Sequence, residues 1–379
     1  MNRHSWTATA PICLSILVAG AWLANAGSLT PPPGPISPTM KDLDTVEPRI
    51  ALRFADLPIT ITSPGSYYLA EDIAGPPGGI TIDASNVTLD LNGFTLDGAG
   101  FPADGIEVLA LGYTGISIFN GTVTGWGGVG IDAGFTDHCR FANLRLAANA
   151  GEGLIAGIAA SIVNCTANGN GAFGFITGSS CTFQGCAAIG NAFDGYFLGA
   201  NCTLRGCTAE SNFTGFLDVG GGGSTFENCT ASFNDVGFLL TAGSEARGCT
   251  AAGNFTTGFF AMDSSSIIHC QATGNGFDGI YLSVNCHAVG NRCGGNGAAG
   301  IVADATGNRI EQNTVTTNDV GIATTPAAAG NVILKNAATA NVTADYDILG
   351  ADAFGPIVPV AGAGDLTGIA DHPWTNFAY

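Results

Sequence analysis

The chain has 379 residues; 57 are glycine, only 11% are charged and 46% are hydrophobic, which excludes both a disordered chain and an ordinary helical globule. Lys and Arg total 11 against 30 Asp and Glu, so the formal charge of -19 repels nucleic acid and anionic lipid surfaces at neutral pH. The same charge disfavours polyanionic sugars unless a cation bridges them.

In chain order, residues 1–26 read as a signal peptide. Arg3 and His4 make a weakly basic start, Ile12 to Leu23 is apolar, and Ala24-Asn25-Ala26 forms a small-residue cleavage site. This predicts a secreted, cell-surface or periplasmic protein. No later stretch approaches the ~20 apolar residues that a membrane span requires. Residues 27–58 form a proline-rich linker, extended from Leu29 to Pro38.

The next segment, 59–345, carries a repeat. Cys165, Cys186, Cys207, Cys229, Cys249 and Cys270 follow at intervals of 21, 21, 22, 20 and 21 residues, and the same position is Leu144 before the run and Asn291, Asn313 and Asn336 after it. An asparagine recurs five residues after each: Asn149, Asn170, Asn191, Asn212, Asn234, Asn254, Asn275, Asn296, Asn318 and Asn341. After nearly every asparagine comes a glycine and a short apolar strand, as in Gly195-Tyr196-Phe197 and Gly279-Ile280-Tyr281. A period near 20 residues with no helical pattern predicts an all-β chain, a single-stranded right-handed parallel β-helix of about twelve coils. Its asparagines stack one coil apart and take left-handed turn positions. Residues 346–379 lose the repeat and form a C-terminal capping tail.

These Asn-x-x-Gly-Ile coils, with the opening segments Thr60 to Leu69 and Asn86 to Gly93, resemble the right-handed parallel β-helix repeat proteins. That group includes pectate-lyase-like enzymes, NosD-type periplasmic proteins and carbohydrate-binding or sugar-hydrolase modules. The resemblance covers roughly residues 59–345 and implies a coil architecture rather than a reaction.

Cys139, Cys181, Cys202 and Cys286 lie five residues before the anchor position, so ten of the eleven cysteines beyond the signal peptide fall in two columns; Cys293 stands apart. Stacked residues of parallel strands have poor geometry for a disulfide, so buried free thiols are expected. No Cys-x-x-Cys spacing points to a metal, and no metal site is assigned. His269 and His287 suit turn positions better than copper ligation.

Uronate cleavage by β-elimination needs a base and a cation, Ca2+ or arginine, against the substrate carboxylate. The densest candidate set is Asp132, Asp137, His138, Arg140 and Arg145. Arg205 and Arg247 instead alternate with Gln184 and Glu227 in an ion-pair stack. Asp194, Asp218, Asp263 and Asp278 are scattered over different columns. No cofactor is expected unless the protein is a lyase, when Ca2+ would serve.

In each strand after the glycine the second residue should point outward. That column reads Glu107, Asp132, Ile155, Ile176, Phe197, Leu217, Leu239, Phe260, Tyr281, Val302, Ala323, apolar from Ile155 onward. Such an apolar stripe is covered by the tail, contacts another protein, or stacks a polysaccharide on Phe197, Phe260 and Tyr281. Two functions follow: a non-enzymatic β-helix that binds a glycan or assembles through the stripe, and a carbohydrate-active lyase or epimerase with its site at Asp132 to Arg145.

Overall fold

The computed structural model describes residues 48–359 and 372–378. The expected signal peptide (1–26) and residues 27–47 of the linker lie outside them. The described chain is a right-handed parallel β-solenoid of about 15 turns, more than the twelve expected. Between Ile59 and Asp347 one face already has 14 strands in its ladder, and backbone pairing also continues beyond the expected bounds at both ends. Ile50–Leu52 pairs with Tyr67–Leu69 inside the expected linker, and Ala351–Phe354 and Asn376–Ala378 extend the stack from the tail.

A middle turn shows the plan. Phe175–Thr177 lies on a first face, Thr182–Gln184 on a second and Ala187–Ile189 on a third. Each pairs in register with the equivalent strand of the next turn, Tyr196–Leu198, Thr203–Arg205 and Thr208–Glu210. Three residues per strand place one or two side chains inward, so the period-2 pattern and the turn length together fix a slender three-sided interior. On the first face Phe175, Tyr196, Phe216, Phe238 and Phe259 stack inward, the last four with ring centroids 4.7 Å apart. Phe183 and Phe226 meet this stack edge-on from the second face.

The chain turns each corner in the same way. One residue takes a left-handed conformation and the next side chain points into the core: Ser180 before Cys181, Gly185 before Cys186, Gly190 before Asn191, all three with φ 62°. The recurrent asparagines are therefore not the left-handed residues, as expected from the sequence; the residue before each one is. The asparagine is needed inside, where its carboxamide joins one coil to the next. Asn191 donates through its backbone N–H (3.0 Å) and Nδ2 (3.0 Å) to Oδ1 of Asn212, and through Nδ2 to the Ala167 carbonyl (3.2 Å).

The cysteine column does the same work. The Cys249 N–H donates to Sγ of Cys270 at 3.3 Å, and that thiol faces the Ala246 carbonyl at 3.3 Å. One rung further, Asn291 Nδ2 donates to the Ile267 carbonyl at 2.8 Å. Thiol and carboxamide are thus alternative rungs of one ladder, each satisfying a buried backbone donor. The glycine before each first-face strand is forced by close approach, since a Cβ on Gly174 would lie 2.6 Å from the Gly195 carbonyl oxygen.

Candidate functional site

The outward column of the first face is half-buried from Ile155 to Ala323, interrupted by no charge. Of the described tail residues, Tyr346 and Asp347 extend the first face by one strand, and Ala351–Phe354 pairs with the second face at the end of the stack. Beside this column, at the corner entering the first face, runs a row of phenylalanines that the sequence reading missed. Phe193 is 53% exposed, Phe213 59%, Phe255 73% and Phe277 60%. Backbone bonds run from Phe213 to Phe193 and, through Asp235 and Thr256, on to Phe277, with Phe255 one residue before Thr256, so the four lie at one corner as two pairs with Asp235 in the coil between them. Their distance from the ladder asparagine varies from one to two residues, which hides the row from a fixed-period search.

The three aromatic residues expected to stack sugar are less available. Phe260 and Tyr281 lie face to face, centroids 4.4 Å apart and planes 19° apart, so each covers a face of the other. Phe197 is held edge-on by Phe173 at 5.2 Å. The Tyr281 hydroxyl donates to Asp304, and burial followed by this carboxylate pushes its pKa up to about 12. With Ser283 bonded to Asp263 at 3.2 Å, these groups give the aromatic surface a polar border.

The set Asp132, Asp137, His138, Arg140 and Arg145 does not converge. Asp132 is on the first face beside Glu107 and Ile155, and its carboxylate accepts the Gly134 N–H at 3.0 Å. Asp137 ends that strand and borders a shallow depression with Leu111, Phe135 and Ile158. His138 is the left-handed corner residue, with φ 56°. Arg140 starts the second face beside Ser117 and Ser161, and Arg145 lies on the third beside Thr122 and Thr166. Residues close in sequence are thus spread round the turn. What gathers instead is acidic: burial, then Asp104, then Asp132 raise the Glu107 carboxyl, and burial is the main cause of the rise at Asp132.

Asp194 and Asp278 turn out to share a column with Asp104, a correction to the scattered placement. Each accepts the N–H of the equivalent residue one coil on, from Thr214 and Ala299 at 2.9 Å and from Val129 at 2.6 Å. They are turn caps, not a catalytic set. Of the expected ion-pair stack, Arg205 and Glu227 meet at 2.7 Å, whereas Arg247 turns to Glu245 on its own strand at 2.9 Å.

All eleven described cysteines are free and buried. Hydrogen bonds with the Cys165 and Cys207 thiols, then burial, hold Cys186 well above the usual thiol range, and burial alone does so at Cys293. Among the described residues no group of three or more His, Cys, Asp or Glu is arranged to hold a metal ion, and no helix is long and apolar enough to cross a membrane.

Comparison with known proteins agrees with the architecture. The family model of the right handed beta helix region matches residues 104–256, 147–291 and 199–338. Among solved structures, the A-module of mannuronan C-5 epimerase AlgE6 from Azotobacter vinelandii is 14% identical with a TM-score of 0.48, over 84% of this chain and 90% of that one. Tailspike protein 3 of bacteriophage CBA120 is 13% identical with a TM-score of 0.48, over 81% of this chain and 55% of that one. Pectate lyase Pel9A is 16% identical with a TM-score of 0.34, over 72% and 65%. No curated protein matches the sequence. With matches that together span 104–338, the chain belongs to the right-handed β-helix family.

Proposed function

We propose that this protein is a non-enzymatic, exported β-helix that binds an extended, uncharged glycan along its first face. The observation that carries the reading is the row Phe193, Phe213, Phe255 and Phe277, each more than half exposed and bordering the half-buried apolar column. Open aromatic faces suit the apolar faces of sugar rings, and the Tyr281, Ser283, Asp263 and Asp304 edge supplies acceptors for hydroxyl groups. An uncharged ligand fits a chain of formal charge -19. Lyase or epimerase chemistry at Asp132 to Arg145 has less support, because Asp132, Arg140 and Arg145 occupy three different faces of the turn.

A second reading, assembly through the first face, is favoured by the uncharged, half-buried column of Ile155 to Ala323, which runs unbroken along the stack. The test is calorimetric titration of purified protein with neutral glucan, mannan, xylan and chitin oligosaccharides, with light scattering for mass in solution. Binding to one class, weakened about tenfold or more by Phe255→Ala with Phe277→Ala and unaffected by Arg140→Ala, supports the glycan reading. A dimer or trimer without sugar binding, dissociated by the same pair, favours assembly. New unsaturated or epimerised sugar products that vanish in Arg140→Ala or Arg145→Ala overturn both.

A further inference from the structure

The third inward position of the first face is apolar or small through most of the stack, for example Leu198, Leu240 and Leu282, all buried. In the turn between Leu198 and Leu240 it is Asp218, in register with Leu198 and fully buried. A carboxylate in a dry core is strongly disfavoured unless its oxygens are matched. One oxygen is: Ser244 Oγ donates to Asp218 Oδ2 at 2.5 Å. The other is not, since Asp218 Oδ1 is buried with no hydrogen-bond partner, and so is Oγ1 of Thr241 in the next turn.

The neighbouring ladder changes at the same place. At the corner leaving the first face the inward column reads Cys181, Cys202, Ser224, Ser244, Ser265, Cys286, with hydroxyls in three successive turns where thiols stand before and after. Ser224 and Ser244 accept the N–H of Cys202 and Ser224, each at 3.1 Å, so these serines serve as rungs, and Ser244 also bonds the carboxylate. Two columns from different parts of the turn thus become oxygen-rich together, which packing alone does not call for.

We propose that Asp218 holds a desolvated alkali-metal cation inside the solenoid, with Asp218 Oδ1 and Thr241 Oγ1 among its ligands. The donor set is all oxygen, which selects a hard cation over the soft metals that the nearby thiols would take. It carries a single negative charge, which a monovalent ion neutralises and a divalent ion would not. The site lies inside the rod and is independent of the glycan reading of the outer face.

The test is thermal unfolding of the full chain in NaCl, KCl or choline chloride at equal ionic strength. The wild-type midpoint should rise in Na+ or K+ over choline, on the order of 2 °C for each tenfold excess of ion over its dissociation constant. Asp218→Asn should lose this difference. Asp218→Leu, which continues the Leu198 and Leu240 column, should also lose it while remaining folded, so the test stands if the asparagine variant does not fold. Equal wild-type midpoints in the three salts overturn the proposal, as does an alkali response that survives in Asp218→Leu. A response to CaCl2, added as a fourth salt at equal ionic strength, with none to Na+ or K+ overturns it too.

Discussion

The backbone N–H of Cys270 donates to Oδ1 of Asn291 at 2.8 Å, and this bond splices a run of six thiols to a run of carboxamides in one ladder. Cys270→Asn is expected to lengthen the carboxamide run by one rung and change stability by less than about 1 kcal/mol. Cys270→Ala removes the acceptor of the buried Cys249 N–H and should cost about 1–3 kcal/mol. Urea unfolding of the two variants decides it; equal losses would mean that the thiol only fills space.

The asparagine ladder should be most sensitive in its middle. Asn234 accepts from Asn212 and donates to Asn254 and to the Ala209 carbonyl, all within the core. Asn341, near the end, is only half-buried. Asn234→Ala should cost about 3 kcal/mol or more, and Asn341→Ala roughly half as much. Denaturation midpoints that rank the other way would contradict the ladder as a source of stability.

The acidic group of Glu107, Asp104 and Asp132 gives a pH signature. Burial and these neighbours raise the Glu107 carboxyl above its ordinary 4.5. A raised folded pKa means that the favourable protonated state is fully present below 4.5 and its contribution is lost as pH rises through the folded value. Glu107→Gln should therefore stabilise the protein at neutral pH, with a gain that shrinks on acidification and disappears below pH 4.5. A gain that is independent of pH would point to packing instead of charge.

The regular features of the fold were legible because each is a column. Cys165 to Cys270 and Asn149 to Asn341 recur at the coil period, and recurrence is what stacking requires. Features that break a column were not. Asp218 looks like one more acid among several until the register sets it beside Leu198. Asp194 and Asp278 each precede a first-face glycine, Gly195 and Gly279, a shared signal that counting from the anchor cysteine obscured. The exposed phenylalanines escaped because the corner before the first face varies in length. The Asp132 to Arg145 set is spread round the turn for the opposite reason: nearness along the chain implies little when a strand turns a corner every five residues or so. The left-handed position was off by one because asparagine both favours such turns and makes good ladders, and here the second role decides its place.

In each rung the backbone N–H donates to the side chain of the next coil, while an asparagine's Nδ2 donates both forward to the next carboxamide and back to a carbonyl of the coil behind. Such an array has no natural stopping place: an asparagine at the last turn would satisfy the coil behind it and leave its own amide hydrogens asking for another. Asp345 and Asp352 solve this for two of the three corners, accepting from Asn341 and Asn331 through a carboxylate that has no side-chain hydrogen left to place. At the third corner Asn376 donates through Nδ2 to the carbonyls of Ile333 and Gly355, and Ile357–Pro359 pairs with Asn376–Ala378 as a further strand. The side-chain ladders thus carry their own full stop, since their last carboxamides find partners without another turn.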